Sequence, residues 1–218
     1  MNRSRAFTAL GAAMVGGALV LALSGCAGSA APAADAAGGD APPAVPASNP
    51  AAPGEVLGQG TVLQVDGEEP MFCLGAVMES YPPQCSGPEI VGWDWTAVDG
   101  SESASGVTWG TYAVQGTWDG TKFTVTQPPI MLALYDPMKV VDPFTDPANA
   151  GSLTEAELAD LQEKVNNDEF VEALASWPEN GYLFVQVIYD DGSVQDYFDA
   201  VHGEDVVQVR SALRDLES

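Results

Sequence analysis

Positive charge is what this sequence has least of. Seven lysines and arginines stand against 31 aspartates and glutamates in 218 residues, a formal net charge of −24. Binding to nucleic acid is led by Lys and Arg contacts to phosphate, so that partner class is excluded. A basic patch that would lie on anionic headgroups is missing for the same reason. Histidine occurs once, at His202, so a histidine-based hydrolase has no other residue to use. Cysteine occurs three times, at Cys26, Cys73 and Cys85. A zinc site at the last two would need two further ligands, and the CxxC spacing of a redox pair is absent. There is no G-x-S-x-G or other recognised nucleophile setting.

What is present begins at the amino terminus. Two arginines in MNRSR are followed by an apolar run from Ala6 to Leu23 and then by Leu23-Ser24-Gly25-Cys26. A basic start, an apolar core and small residues before a cut site define a secretory signal peptide. The run is also near the lower length limit for a membrane span. The LSGC ending resembles the lipobox of bacterial lipoproteins. That resemblance implies diacylglycerol transfer to the Cys26 thiol, cleavage before Cys26 and acylation of the new terminus. Two or more lipid chains anchor a protein stably to a membrane. Residues 1–25 are thus expected to be removed. Arg3 and Arg5 leave with them and no acid does, so the net charge of the mature chain becomes −26.

Outside the cytoplasm Cys73 and Cys85 form an even pair in an oxidising compartment, and a disulfide between them is expected. Free thiols and a metal site are the alternatives. Residues 26–55 are the lipidated cysteine and a tether dominated by Ala, Pro, Gly and Ser, whose only large aliphatic is Val45. Such a segment buries too little apolar area to offset its ordering entropy. Residues 56–218 form the expected single extracytoplasmic domain.

Within that domain strand patterns dominate. TVLQV (61–65) alternates, and MFCLGAVM (71–78) is apolar on both faces, as a buried strand would be. IVGWDW (90–95) predicts a short strand with Trp93 and Trp95 on one face. VTWGTYAVQGTWDGTKFTVT (107–126) predicts a hairpin with a type I′ turn at Asp119-Gly120. SLTEAELADLQEKV (152–165) predicts a helix with a Ser152–Glu155 capping box, and DEFVEALASW (168–177) a second helix. YLFVQVIY (182–189) predicts a central strand, followed at Asp191-Gly192 by a hairpin into SVQDYFDAV (193–201), with VVQV (206–209) pairing again. The expectation is an α+β fold: a mostly antiparallel sheet with two short helices inserted before the C-terminal strands.

Candidate chemistry is sparse. His202 lies among Gly203, Glu204 and Asp205, a setting that suits a turn better than a catalytic triad. Carboxylate pairs abound among 31 acids, and no spacing singles one out for hydrolysis. DPANAGSLTEAE (146–157) places Asp146, Gly151 and Glu157 at EF-hand positions, but Ala148 and Ala150 occupy two ligand positions. No catalytic residue, cofactor or metal site is assigned. Tyr81, Pro82 and Pro83, stiffened by Cys85, together with Trp93 and Trp95, are the candidate interaction residues.

FCLGAVMESYPPQCSGPEIVGWDW (72–95) and DDGSVQDYFDAVHGEDVVQVRSALR (190–214) resemble segments of small secreted or lipid-anchored proteins of high-GC Gram-positive bacteria. The resemblance implies a location and a cysteine link, and no catalytic residue. The reading is a non-enzymatic binding domain, held on the extracytoplasmic face of the cell membrane through lipid at Cys26, with an envelope protein or wall polymer as partner. A hydrolase using His202 or a carboxylate pair is one alternative. Divalent-cation binding by the acidic surface is the other.

Overall fold

The structure is a computed structural model that describes residues 43–47, 49–137 and 141–216. The expected signal peptide (1–25) and the expected lipidation site, Cys26, lie outside the described residues. The domain is α+β with a mostly antiparallel sheet, as the sequence patterns predict. Its first part contains β1 (Glu55–Val65), β2 (Met71–Cys73), β3 (Glu89–Val91), β4 (Glu102–Ala104), β5 (Val107–Trp118), β6 (Lys122–Val125) and β7 (Ile130–Met131). Its second part contains α1 (Glu155–Asn166), β8 (Ala175–Glu179), β9 (Tyr182–Val187), α2 (Ser193–His202), β10 (Val207–Ser211) and β11 (Leu213–Asp215).

β1 pairs with β2, β2 with β3, β3 in parallel with β6, β6 with β5, and β5 with β1 along its whole length. These pairings close a small five-stranded barrel, which removes the exposed edges of an open sheet. Val62, Phe72, Ile90, Tyr112, Val114 and Phe123 belong to the buried cluster inside it. A ring this small needs close strand approach. A Cβ at Gly58 would sit 2.7 Å from Phe72 Cε1 and from Leu213 Cδ2, and one at Gly116 would fall on the Thr124 carbonyl and the Phe123 ring. Only glycine fits at these positions.

The second part is a three-stranded sheet in the order β10-β9-β8, with β9 in the centre as expected for YLFVQV. β9 and β10 are parallel and joined by α2. Leu183, Val185, Val187, Val207 and Val209 share a buried cluster with Leu158, Leu161 and Val165 of α1 and Val194, Tyr197 and Phe198 of α2. The chain then passes directly from β10 into β11, which pairs with β1. One continuous segment therefore stitches the two sheets together.

Several local expectations are corrected. The capping box of α1 is formed by Thr154 and Glu157 instead of Ser152 and Glu155; the Thr154 hydroxyl and N–H both donate to Glu157 Oε2, at 2.7 and 2.9 Å. Residues 168–177 form no helix. The Asp168 carboxylate accepts from the N–H groups of Phe170 and Val171, a turn that competes with helix propagation, and Ala175–Glu179 pairs with β9. Pro178 is accommodated because β8 is an edge strand. Asp191-Gly192 starts α2 in place of a hairpin. Asp190 Oδ1 accepts from the Gly192 and Val194 N–H groups, and Asp191 Oδ1 from Ser193 N–H. Aspartate serves helix starts as readily as turns. At residues 118–123 the central pair of the hairpin is Gly120-Thr121, and φ is positive at Gly120 but not at Asp119 or Thr121, which the type I′ turn predicted for Asp119-Gly120 does not allow. The strand expected over 71–78 ends at Cys73; Ala76, Val77 and Met78 are exposed. Upstream, Trp118 Nε1 donates to the Pro50 carbonyl at 2.9 Å and Ala52 N–H to the Trp118 carbonyl, so the end of the tether already packs on the barrel.

Candidate functional site

The cysteines answer one sequence question. Cys73 and Cys85 are joined by a disulfide, with their Cα atoms 6.0 Å apart. Inside that loop Met78 bridges back to Gln84, and Ser80 Oγ donates to the Pro82 carbonyl. Tyr81, 73% exposed, lays its ring edge-on to Trp109, with centroids 5.3 Å apart. Trp93 and Trp95 are not on a strand: β3 ends at Val91, Gly92 takes a positive φ, and Asp94 caps a single turn from Trp95 to Ala97. Their rings still meet, 5.3 Å apart, and Trp93 lies 4.9 Å from Tyr112 of the barrel interior. Trp95 Nε1 donates to Gln64 Oε1 at 2.6 Å, while the buried Trp93 Nε1 has no partner among the described residues. The aromatic contacts thus put Tyr81 on Trp109, and Trp93 with Trp95 on Tyr112. Trp109 and Trp118 are core residues.

His202 ends α2. Its ring stacks on Phe198, and burial pushes the imidazole below its ordinary value, with the Asp168 carboxylate acting against that shift. Its Nε2 is buried and bonded to no nucleophile among the described residues. The EF-hand-like segment (146–157) folds as one short turn, Pro147–Asn149, in which the Asp146 carboxylate accepts from Ala148 N–H, followed by the start of α1, where Glu157 closes the capping box. Asp146 and Glu157 thus serve as caps there. Among the described residues no three His, Cys, Asp or Glu side chains converge on a point that a metal would fill.

A cleft of about 560 Å³ opens elsewhere, on the face of the three-stranded sheet turned away from the helices. Alternation along the strands builds it. Trp177 and Glu179 of β8, Phe184 and Gln186 of β9, and Arg210 of β10 all line it. Trp177 and Phe184 are register partners and stack nearly parallel, at 5.5 Å and 10°. The indole N–H of Trp177 donates to Glu179 Oε2 at 3.1 Å, which fixes the ring from its edge. The segment 141–145 forms the opposite wall. Arg210 reaches it with a two-pronged ion pair, Nε to Asp142 Oδ2 at 2.6 Å and Nη2 to Asp142 Oδ1 at 2.9 Å. The same guanidinium lies 5.0 Å from the Phe184 ring centre and 5.7 Å from that of Phe144. Burial alone would raise the Asp142 pKa, but the bonds from Arg210 and from Phe144 N–H outweigh it and hold the carboxyl below the usual aspartate value. Arg214 of β11 completes the rim.

Sequence reasoning missed this cleft. Two signals were present: the alternation Tyr182, Phe184, Gln186, and the placement of two of the few basic residues, Arg210 and Arg214, within five positions. The partner wall, Asp142 and Phe144, lies 68 residues from Arg210 in the case of Asp142, and no local pattern joins them. The chain matches no protein-family model, no curated protein and no solved structure.

Proposed function

We propose that this chain is a lipid-anchored, non-enzymatic binding module of the cell envelope. The LSGC motif supports an anchor at Cys26, and the Ala/Pro/Gly-rich segment after it supports a tether. The observation that carries the binding role is the cleft at Trp177 and Arg210. It has a volume typical of small-ligand sites, and its walls are locked in place before any ligand arrives. The ligand is an envelope component within reach of the tether.

The test is crosslinking in the native cell, followed by detergent extraction and mass spectrometry of both the chain and its partners. The expected product starts at an acylated Cys26, and Trp177→Ala depletes its crosslinked partners. A product retaining Met1 and an unmodified Cys26 thiol would refute the anchor. A partner set unchanged by Trp177→Ala would refute the cleft.

A second reading rests on the disulfide loop. Tyr81 and Met78 expose 73% and 62% of their surface on a loop closed by Cys73–Cys85, which suits contact with a protein. Tyr81→Ala in the same crosslinking experiment separates it from the first.

A further inference from the structure

We infer that the cleft takes a neutral carbohydrate, with the apolar face of a pyranose ring on Trp177 and its hydroxyls directed to Glu179 and Arg214; this rests on the cleft being the binding site proposed above. Four observations carry it. The first is the platform. Trp177 lines the cleft and is 36% exposed although Phe184 stacks on its ring, so apolar indole surface is left for a ligand. An indole offers a flat apolar face of the kind that the C–H side of a sugar covers.

The second is rigidity. The register opposite Phe184 and the bond to Glu179 hold the indole at one angle, and Arg210 is held by Asp142 and by its own bond to the Val209 carbonyl. A ligand loses little entropy in ordering such walls. The third is charge. Arg210 and Arg214 balance Asp142 and Glu179, so the cleft is neutral inside a strongly acidic domain. An anion would meet the repulsive field of the molecule, and a cation would find no surplus of carboxylate there. A neutral ligand is penalised by neither.

The fourth is the polar equipment. Glu179, Gln186 and the Thr145 hydroxyl, whose proton goes to the Asp142 carbonyl, accept, and Arg214, Gln186 and Ser211 donate, around an aromatic floor. Neutral sugars carry hydroxyls that both donate and accept, and they need such a mixed rim. The volume has room for a short oligosaccharide.

The experiment is calorimetry on the full-length protein in detergent. The neutral probes are the β-1,4 trimer of N-acetylglucosamine, maltotriose and mannotriose; trigalacturonate is the anionic probe. One or more of the neutral trimers is expected to bind. Trp177→Ala should weaken that binding by about tenfold or more, the range of a lost central aromatic contact, and Trp177→Phe should retain most of it. Melting curves report whether each variant is folded, and Trp177→Phe keeps the test valid if Trp177→Ala is not. Affinity should hold steady as salt rises from roughly 0.05 to 0.5 M, since no net charge is neutralised. Binding of none of the neutral trimers overturns the inference. So does neutral binding that is indifferent to both Trp177 variants, or tighter, salt-sensitive binding of trigalacturonate. If the trimers fail while Trp177→Ala still depletes the crosslinked partners, the carbohydrate falls and the binding module stands.

Discussion

Arg210 directs Nε and Nη2 to Asp142 and Nη1 to a backbone carbonyl, with aromatic rings of Phe184 and Phe144 nearby. The pair is about a third exposed on the Arg210 side and a quarter on the Asp142 side, so solvent screens part of its Coulomb term. Its two-pronged, charge-assisted geometry keeps the remainder. Asp142→Asn is therefore expected to destabilise the domain by about 1–2 kcal/mol, measured by urea unfolding. The pH dependence has a definite sign. The folded pKa of Asp142 is lowered from 3.8, so its contribution is complete above 3.8 and is lost as pH falls through the folded value. The wild type should lose that increment on acidification, and the Asp142→Asn variant should not. Residues such as Arg210 and Trp177 stand out weakly in the sequence because their roles depend on neighbours far along the chain. The Cys73–Cys85 link was legible because composition and the expected compartment leave few alternatives.

At the scale of elements, the barrel depends on two long strands that cross at close range. β1 and β5 are paired from Glu55–Thr117 to Val65–Val107, and each carries inward glycines where a side chain would strike its neighbours. Gly116→Ala is expected to cost about 1–3 kcal/mol through overpacking, read as a fall in the midpoint of thermal unfolding. Strand patterns for β1, β5 and β9 were readable because period-two alternation is a local property. The helix boundaries were not. The carboxylates of Asp168, Asp190 and Asp191 each accept from nearby N–H groups, and the same chemistry serves a turn or a helix start. The i, i+3, i+4 spacing of Val194, Tyr197 and Phe198 was the signal for α2, hidden beneath the turn signature of Asp191-Gly192.

At the scale of the whole molecule, two devices tie distant parts together. The segment 207–215 pairs with β9 and then with β1, and the Tyr189 hydroxyl, just past the end of β9, donates to Asp215 Oδ1 at 3.0 Å. Burial first, and then the Asp215 carboxylate, push the Tyr189 pKa up to about 12. The disulfide closes a loop of sequence separation 12 against the barrel wall. In the chain-entropy model its loss removes about 3 kcal/mol. Cys73→Ala with Cys85→Ala should lower the melting temperature and leave cleft binding intact, because the loop packs on Trp109 and Met71 while the cleft is built by the three-stranded sheet. A double variant that melted with the wild type would show the crosslink to be energetically idle.

By itself the sequence determined the charge balance and the strand-rich class, and it set the expectations of a Cys73–Cys85 link and of an extracytoplasmic address, since each follows from composition or from patterns within a few residues. Only the tertiary structure decided that the strands close into a barrel, that SVQDYFDAV is a helix, and that Trp177, Arg210 and Asp142 share one cleft. Those outcomes depend on contacts between residues tens of positions apart, where packing and chain topology overrule local preference.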